Sequence, residues 1–125
     1  MTQRKGRSLE TKIGYRFKNR QLLDRALTHS SVRANTARGK NSVKSAEGDN
    51  ERLEFVGDRV LGLAIAELLN ETFSAASEGD LARRYNSLVR GETCAEVARR
   101  WGLGEHMILS ESEADSGGRD KETIL

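Results

Sequence analysis

The stretch NERLEFVGDRVLGLAIAELL, residues 50–69, decides the fold prediction for this chain. Its apolar residues recur at helical spacing, which predicts one long helix. Three acidic residues, Glu51, Glu54 and Asp58, lie near its start. At about 100° per residue, the spacings of three and seven bring the three carboxylates within roughly 60° of one another on one face. The stretch therefore predicts a cluster of like charges on a single helix.

The same face of the predicted helix continues as an apolar stripe. Its members are Leu61, Ile65 and Leu68. We therefore expect the acids at the end of a face that otherwise packs in the core. Like charges at i,i+4 destabilise a helix by roughly 0.2–0.5 kcal/mol, and partial burial of carboxylates costs more. Arg52 and Arg59 project from about the opposite side, so a divalent cation with oxygen ligands is the natural partner for the acids.

An alternative partner for the acids is a set of arginines on a neighbouring helix. Arg83 and Arg84 could pair with the carboxylates in an ordinary buried charge network. Structural ion pairs of this kind are common in proteins and perturb pKa values as functional sites do. On spacing alone, both interpretations stay open.

Three segments of the chain resemble the ribonuclease III family. The nine residues NERLEFVGD, 50–58, resemble the signature stretch of that family. Upstream, YRFKNRQLLDRALTHSS, 15–31, resembles the opening helices of its nuclease domain. Downstream, residues 77–125 follow the order of segments in the family, including the turn at 78–80 and the loop at 116–118. The resemblance covers nearly the whole chain.

The resemblance implies an endonuclease that hydrolyses double-stranded RNA in RNA processing, with Mg²⁺ as cofactor and Mn²⁺ as its substitute. Glu54 and Asp58 match the catalytic, metal-ligating carboxylates of the signature helix. Glu51 and Glu78 match acids that line the RNA cleft. Phe55 matches an apolar residue that the family buries in the partner subunit of a homodimer. From the residues alone, either core packing or an interface would account for Phe55.

The family takes two further carboxylates, an Asp and a Glu, from a later helix. This chain ends at Ile124 and Leu125, immediately before those positions would arrive. We therefore expect a nuclease domain without its last helices and without a double-stranded RNA-binding domain, and we expect this piece alone to be inactive. The alternative is a non-catalytic RNA-binding or dimerisation module with the same fold. Retention of the four matching acids argues against that alternative, because a surface that faces phosphates gains nothing from them.

Composition fits one all-α domain, a helical bundle, over residues 1–125, since the chain has no proline and no convincing β alternation. The 21 basic against 19 acidic residues give a net charge of +2, too small to identify a nucleic-acid binder by itself. Cys94 is the single cysteine, which excludes an intramolecular disulfide and fits the cytoplasm. No run approaches the ~18 apolar residues of a membrane span, so we expect no membrane partner.

Five helices are predicted from the apolar pattern and the capping residues. They cover residues 9–13, 20–29, about 50–72, 78–89 and the segment between Gly91 and Gly102. Ser77, with Asp80 three residues later, is a plausible N-terminal cap for the fourth of them. Residues 31–49 predict a mobile loop, and residues 110–120 predict a loop that leads into a further helix.

Overall fold

The computed structural model describes residues 2–32 and 48–125. Six α-helices lie wholly within these residues: α1 (Thr2–Ile13), α2 (Arg20–Ala26), α3 (Glu51–Thr72), α4 (Glu78–Val89), α5 (Gly91–Arg100) and α6 (Glu111–Asp115). Short 3₁₀ turns cover Leu103–Glu105 and Gly118–Asp120. In the same ranges, β pairing is limited to one isolated bridge between Thr28 and Ile108. The all-α prediction is confirmed.

The helices with the clearest sequence signals match their predicted bounds. α3 begins one residue later than predicted and ends at the predicted residue, while α4 covers the predicted residues 78–89. The Ser77 hydroxyl accepts a hydrogen bond from the Asp80 amide at 3.2 Å, so the predicted cap is present. α5 begins at Gly91 and ends two residues before Gly102, as the bracketing glycines indicate.

The predicted bounds of α1 and α2 are wrong. α1 begins at Thr2 rather than at residue 9, and the prediction missed this start because residues 2–7 include no apolar residue and so give no periodic signal for a helix. α2 ends at Ala26 rather than at residue 29, because the next backbone groups bond elsewhere. The Ile108 amide donates to the Leu27 carbonyl at 2.8 Å, and the His29 amide donates to the Ile108 carbonyl at 2.9 Å.

The predicted loop over residues 110–120 contains a short helix, α6. The Ser110 hydroxyl accepts a hydrogen bond from the Glu113 amide at 3.2 Å, which supplies an N-terminal cap. Most of the predicted mobile loop, residues 33–47, lies outside the described residues.

The main core forms between α1, α2 and the segment that follows α5. Its buried members are Leu9, Leu23, Leu27 and Met107. α3 packs against α4, and it buries Gly62 and Leu69. The prediction that Leu61 and Leu68 pack in the core is wrong, since they are 37% and 55% exposed. The reason is that α4 packs against a different side of α3, so the described residues leave the predicted stripe exposed to solvent.

A buried carboxylate connects α1 to the segment before α2. Glu10 accepts a hydrogen bond from the Phe17 amide at 2.8 Å and pairs with Arg20 at 2.8 Å. The Phe17 hydrogen bond is the main cause that lowers the pKa of Glu10, and Arg20 lowers it further against the opposing effect of burial. Glu10 therefore stabilises the fold in its charged form.

Across the described ranges, none of the helices combines the length and the apolar character that crossing a bilayer requires. The assignment of residues 1–125 to one domain stays a prediction.

Candidate carboxylate site on α3

The N-terminus of α3 is tied to the end of α2 by three hydrogen bonds. The Asn50 amide donates to the Thr28 carbonyl at 2.9 Å, and the Asn50 side chain donates to the Ala26 carbonyl at 3.2 Å. The Arg25 side chain donates to the carbonyl of Asp49 at 3.2 Å. These bonds fix the first turn of α3, which carries two of the predicted acids.

The helix itself accommodates those two acids. The Asp49 carboxylate accepts a hydrogen bond from the Glu51 amide at 3.2 Å, which satisfies one of the unpaired amides of the first turn. Glu51 and Glu54 both lie in that turn, where the helix dipole stabilises a negative charge by about 0.3–1 kcal/mol. Asp58 lies one turn later and gains less from the dipole. The helix dipole therefore offsets the repulsion less at Asp58 than at Glu51 and Glu54.

The structure brings together the three predicted acids of α3. Glu51, Glu54 and Asp58 line one open cavity of about 1010 Å³, whose other walls come from the end of α2, from α4 and α5, and from residues 122–125. Glu54 and Asp58 are exposed. In the part of the chain that the structure describes, neither of these two carboxylates takes part in an ion pair or a side-chain hydrogen bond.

The arginines proposed as alternative partners bond elsewhere. Arg83 pairs with Asp80, one turn earlier on α4. The Arg84 guanidinium lies over the ring of Phe73, 3.9 Å from the ring centroid. Arg83 and Arg84 therefore do not form the predicted charge network with Glu54 and Asp58.

Phe55 lies on the surface of α3 rather than in the core. Its side chain is 61% exposed, so the core interpretation of this residue is wrong. The Arg59 guanidinium covers the Phe55 ring at 3.9 Å from the centroid and donates to the Phe55 carbonyl at 3.1 Å. Arg59 also lines the cavity, but this stacking directs its charge to the aromatic ring.

Glu78 is separated from the other predicted acids. It lies in the first turn of α4, is exposed, and does not line the cavity that the acids of α3 share. Its assignment to an RNA cleft stays a prediction.

The carboxylates of Glu54 and Asp58 match what Mg²⁺ requires in ligand type. Mg²⁺ takes oxygen ligands and is commonly bound through one or two carboxylates, with water and substrate phosphates in its other positions. Among residues 2–32 and 48–125, no group of three or more His, Cys, Asp or Glu side chains is placed to hold a metal. The pair therefore fits a weakly held, hydrated Mg²⁺ ion and does not form an enclosed metal cage.

Tyr85 is a cavity residue that the sequence analysis missed. It projects from α4 and lines the cavity together with Asp58 and Gly62. A Cβ atom built on Gly62 would lie 2.5 Å from the Tyr85 hydroxyl oxygen, so the two helices approach closely only because position 62 has no side chain. The available signal was a glycine inside a long helix, which costs about 1 kcal/mol relative to alanine and often marks close packing.

Comparison with known proteins gives relatives over almost the whole chain. The model of the ribonuclease-III-like family matches residues 19–125. Ribonuclease 3 of Caulobacter vibrioides (strain NA1000 / CB15N) is 52% identical over 117 residues, which are 94% of this chain and 47% of that protein. Ribonuclease 3 of Dinoroseobacter shibae is 54% identical over 114 residues, 91% of this chain and 45% of that protein. The chain spans about half the length of the curated relatives it matches.

A solved structure has the same fold. The nuclease domain of ribonuclease III from Campylobacter jejuni matches with a TM-score of 0.79 and 38% identity, over 94% of this chain and 73% of that one. That structure is described as flexible in a region involved in dimer formation. The family match, the sequence identities and the shared fold agree with the resemblance carried by residues 50–58. The chain belongs to the ribonuclease-III-like family.

Proposed function

We propose that this protein is an endoribonuclease that hydrolyses phosphodiester bonds of double-stranded RNA in a Mg²⁺-dependent reaction. One observation carries the proposal: Glu54 and Asp58 stand on one cavity wall without ion pairs in the described residues. Such a pair of like charges destabilises the helix on its own. Metal binding in a nuclease of the ribonuclease-III-like family would account for its presence.

Glu54 and Asp58 would hold Mg²⁺, with Mn²⁺ as its substitute. When bound, the metal supplies an acidified water and charge neutralisation at the scissile phosphate. Glu51 lies on the same wall and would contact the substrate at the rim of the site, and Glu78 would line the RNA cleft beyond it. Discrimination against DNA would come from the A-form shape of the duplex and from contacts to the 2′-hydroxyl groups.

We further propose that the protein acts as a homodimer in the cytoplasm. The exposed Phe55 ring supports an interface, because an aromatic side chain in contact with water gains free energy when a partner covers it. Two copies in C₂ symmetry would present one carboxylate site to each strand of a duplex. The lone Cys94 supports a reducing compartment.

A second candidate function is a non-catalytic RNA-binding or dimerisation module with the same fold. The observation that favours it is the lack, among the described side chains, of a cluster of three metal ligands. A module of this kind would bind duplex RNA without cutting it.

Cleavage of a long RNA duplex tests the proposed function. The purified protein is assayed with Mg²⁺ and with a chelator, alongside single-stranded RNA and duplex DNA as competing substrates. The same assay is run on the Caulobacter relative with its matching segment replaced by this chain. We expect at least the chimera to cleave duplex RNA in a Mg²⁺-dependent manner, and to cleave neither single-stranded RNA nor duplex DNA.

Two variants assign the activity to the site. We expect Asp58→Asn to abolish cleavage and Asp24→Asn to leave it unchanged, because Asp24 is exposed on α2 outside the cavity. Cleavage that survives Asp58→Asn, or equal cleavage of DNA, would contradict the proposal. Binding of duplex RNA without cleavage by either protein would favour the second function.

A further inference from the structure

A phenol hydroxyl fills a space that α3 leaves open beside its carboxylates. The Tyr85 hydroxyl oxygen lies 2.5 Å from the position of a Cβ atom built on Gly62, and the nearest ring carbon lies 3.6 Å from it. Gly62 is buried, and Tyr85 is half-buried. The hydroxyl therefore occupies the space that the first side-chain atom at position 62 would need.

Position 62 belongs to the same row as the two carboxylates. Glu54, Asp58 and Gly62 are four residues apart, so each lies about 6 Å along the helix axis and about 40° around it from the one before. Side chains at i and i+4 stack above one another on a helix face. The row thus presents two carboxylates from α3 and, at its third position, the Tyr85 hydroxyl from α4. All four residues line the same cavity.

The Tyr85 hydroxyl is available for a bound molecule. Within the described part of the chain it makes no hydrogen bond, although the side chain is half-buried. Arg59 also lines the cavity, but its guanidinium lies on the Phe55 ring. A phosphodiester that approaches the two carboxylates meets repulsion, and a neutral donor in the same row offsets it without forming an ion pair with the acids.

We propose that Tyr85 is a substrate-contacting residue, whose hydroxyl donates a hydrogen bond to a phosphate oxygen of the RNA strand in this cavity. The proposal rests on the proposed function, since it names a contact to the same substrate at the same site. The geometry restricts the role to binding, because the hydroxyl stands in the carboxylate row as a donor and none of the described side chains is bonded to it as a general base.

Steady-state kinetics on duplex RNA test the proposal, with this protein or with the Caulobacter chimera if only the chimera cleaves. Tyr85→Phe removes the hydroxyl and keeps the ring. A hydrogen bond to a charged phosphate oxygen is worth roughly ten- to a hundredfold in affinity, so we expect KM to rise about tenfold or more with kcat unchanged. Tyr15→Phe is the matched control, because Tyr15 packs against Phe17 away from the cavity. An unchanged KM, or a loss confined to kcat, would overturn the substrate contact.

A second variant tests the geometry behind the contact. Gly62→Ala places a methyl carbon 2.5 Å from the present position of the hydroxyl oxygen, so it should displace the hydroxyl and raise KM about as much as Tyr85→Phe does. In the Tyr85→Phe background, Gly62→Ala should have no further effect on KM, and additive effects would overturn the proposal. If the unmodified protein cleaves duplex RNA and Tyr85→Phe matches it, this inference alone fails. If neither the unmodified protein nor the Caulobacter chimera cleaves duplex RNA, the proposed function fails first.

Discussion

Alanine at position 62 would add a methyl group where α4 contacts the backbone of α3. In an open helix interior, Gly→Ala raises the free energy of unfolding by about 1 kcal/mol, because glycine loses more conformational freedom on folding. Here the new atom would lie 2.5 Å from the Tyr85 hydroxyl oxygen, well inside contact distance, so the phenol must move. We expect the cost of that movement to cancel the gain, leaving Gly62→Ala no more stable than the parent.

The same substitution should stabilise a protein that lacks the hydroxyl. With phenylalanine at position 85, the nearest ring atom lies 3.6 Å from the new Cβ, an ordinary van der Waals contact. The full gain of about 1 kcal/mol should then appear, which corresponds to about 3–5 °C in Tm for a domain of this size. Urea unfolding of the four proteins in the double-mutant cycle measures the coupling. Equal effects of Gly62→Ala in both backgrounds would refute the close approach.

Three further predictions concern charge, assembly and pH. Asp58→Asn should raise Tm by about 1–2 °C in a thermal melt, because it removes a repulsion between like charges that destabilises the helix by roughly 0.2–0.5 kcal/mol. A lower Tm would instead indicate that Asp58 forms a structural ion pair. Phe55→Ala should weaken dimerisation by about 2 kcal/mol, roughly thirtyfold in Kd by sedimentation, whereas an unchanged Kd would exclude this residue from the interface. Glu10→Gln should lower Tm at pH 7. The pKa of Glu10 is depressed in the folded protein, so its charged form stabilises the fold above the unfolded-state value of 4.5, and that stabilisation is lost as pH falls through the folded-state pKa. The Tm values of parent and variant should therefore converge in acid, and a constant difference would contradict this.

The fold could be predicted where local sequence signals and packing agree. α3 and α4 combine a strong apolar period with clear helix starts, and both appear within one residue of their predicted bounds. The signal for α6 was also present, since Ser110 and Glu113 have the spacing of a capping box, but the acidic composition of residues 110–120 favoured a loop.

Other features depend on contacts that no local pattern contains. α2 ends early because the backbone near Leu27 bonds to Ile108, some eighty positions away in sequence. The exposure of Leu68 depends on which side of α3 the described residues cover. The row of acids on α3 follows from helical periodicity, so it could be predicted, whereas the hydroxyl of Tyr85 joins it only through the packing of α4 on Gly62.

The Mg²⁺ dependence of duplex-RNA cleavage tests the central claim most directly, because the claim assigns metal binding to named carboxylates. The rate is measured across a Mg²⁺ titration for the Caulobacter chimera that carries this chain, for its Glu54→Gln variant and for its Glu71→Gln variant, an exposed control further along α3. We predict that Glu54→Gln raises the half-maximal Mg²⁺ concentration tenfold or more while duplex binding is retained, and that Glu71→Gln behaves as the parent. A Mg²⁺ curve for Glu54→Gln that coincides with that of the parent would contradict the account.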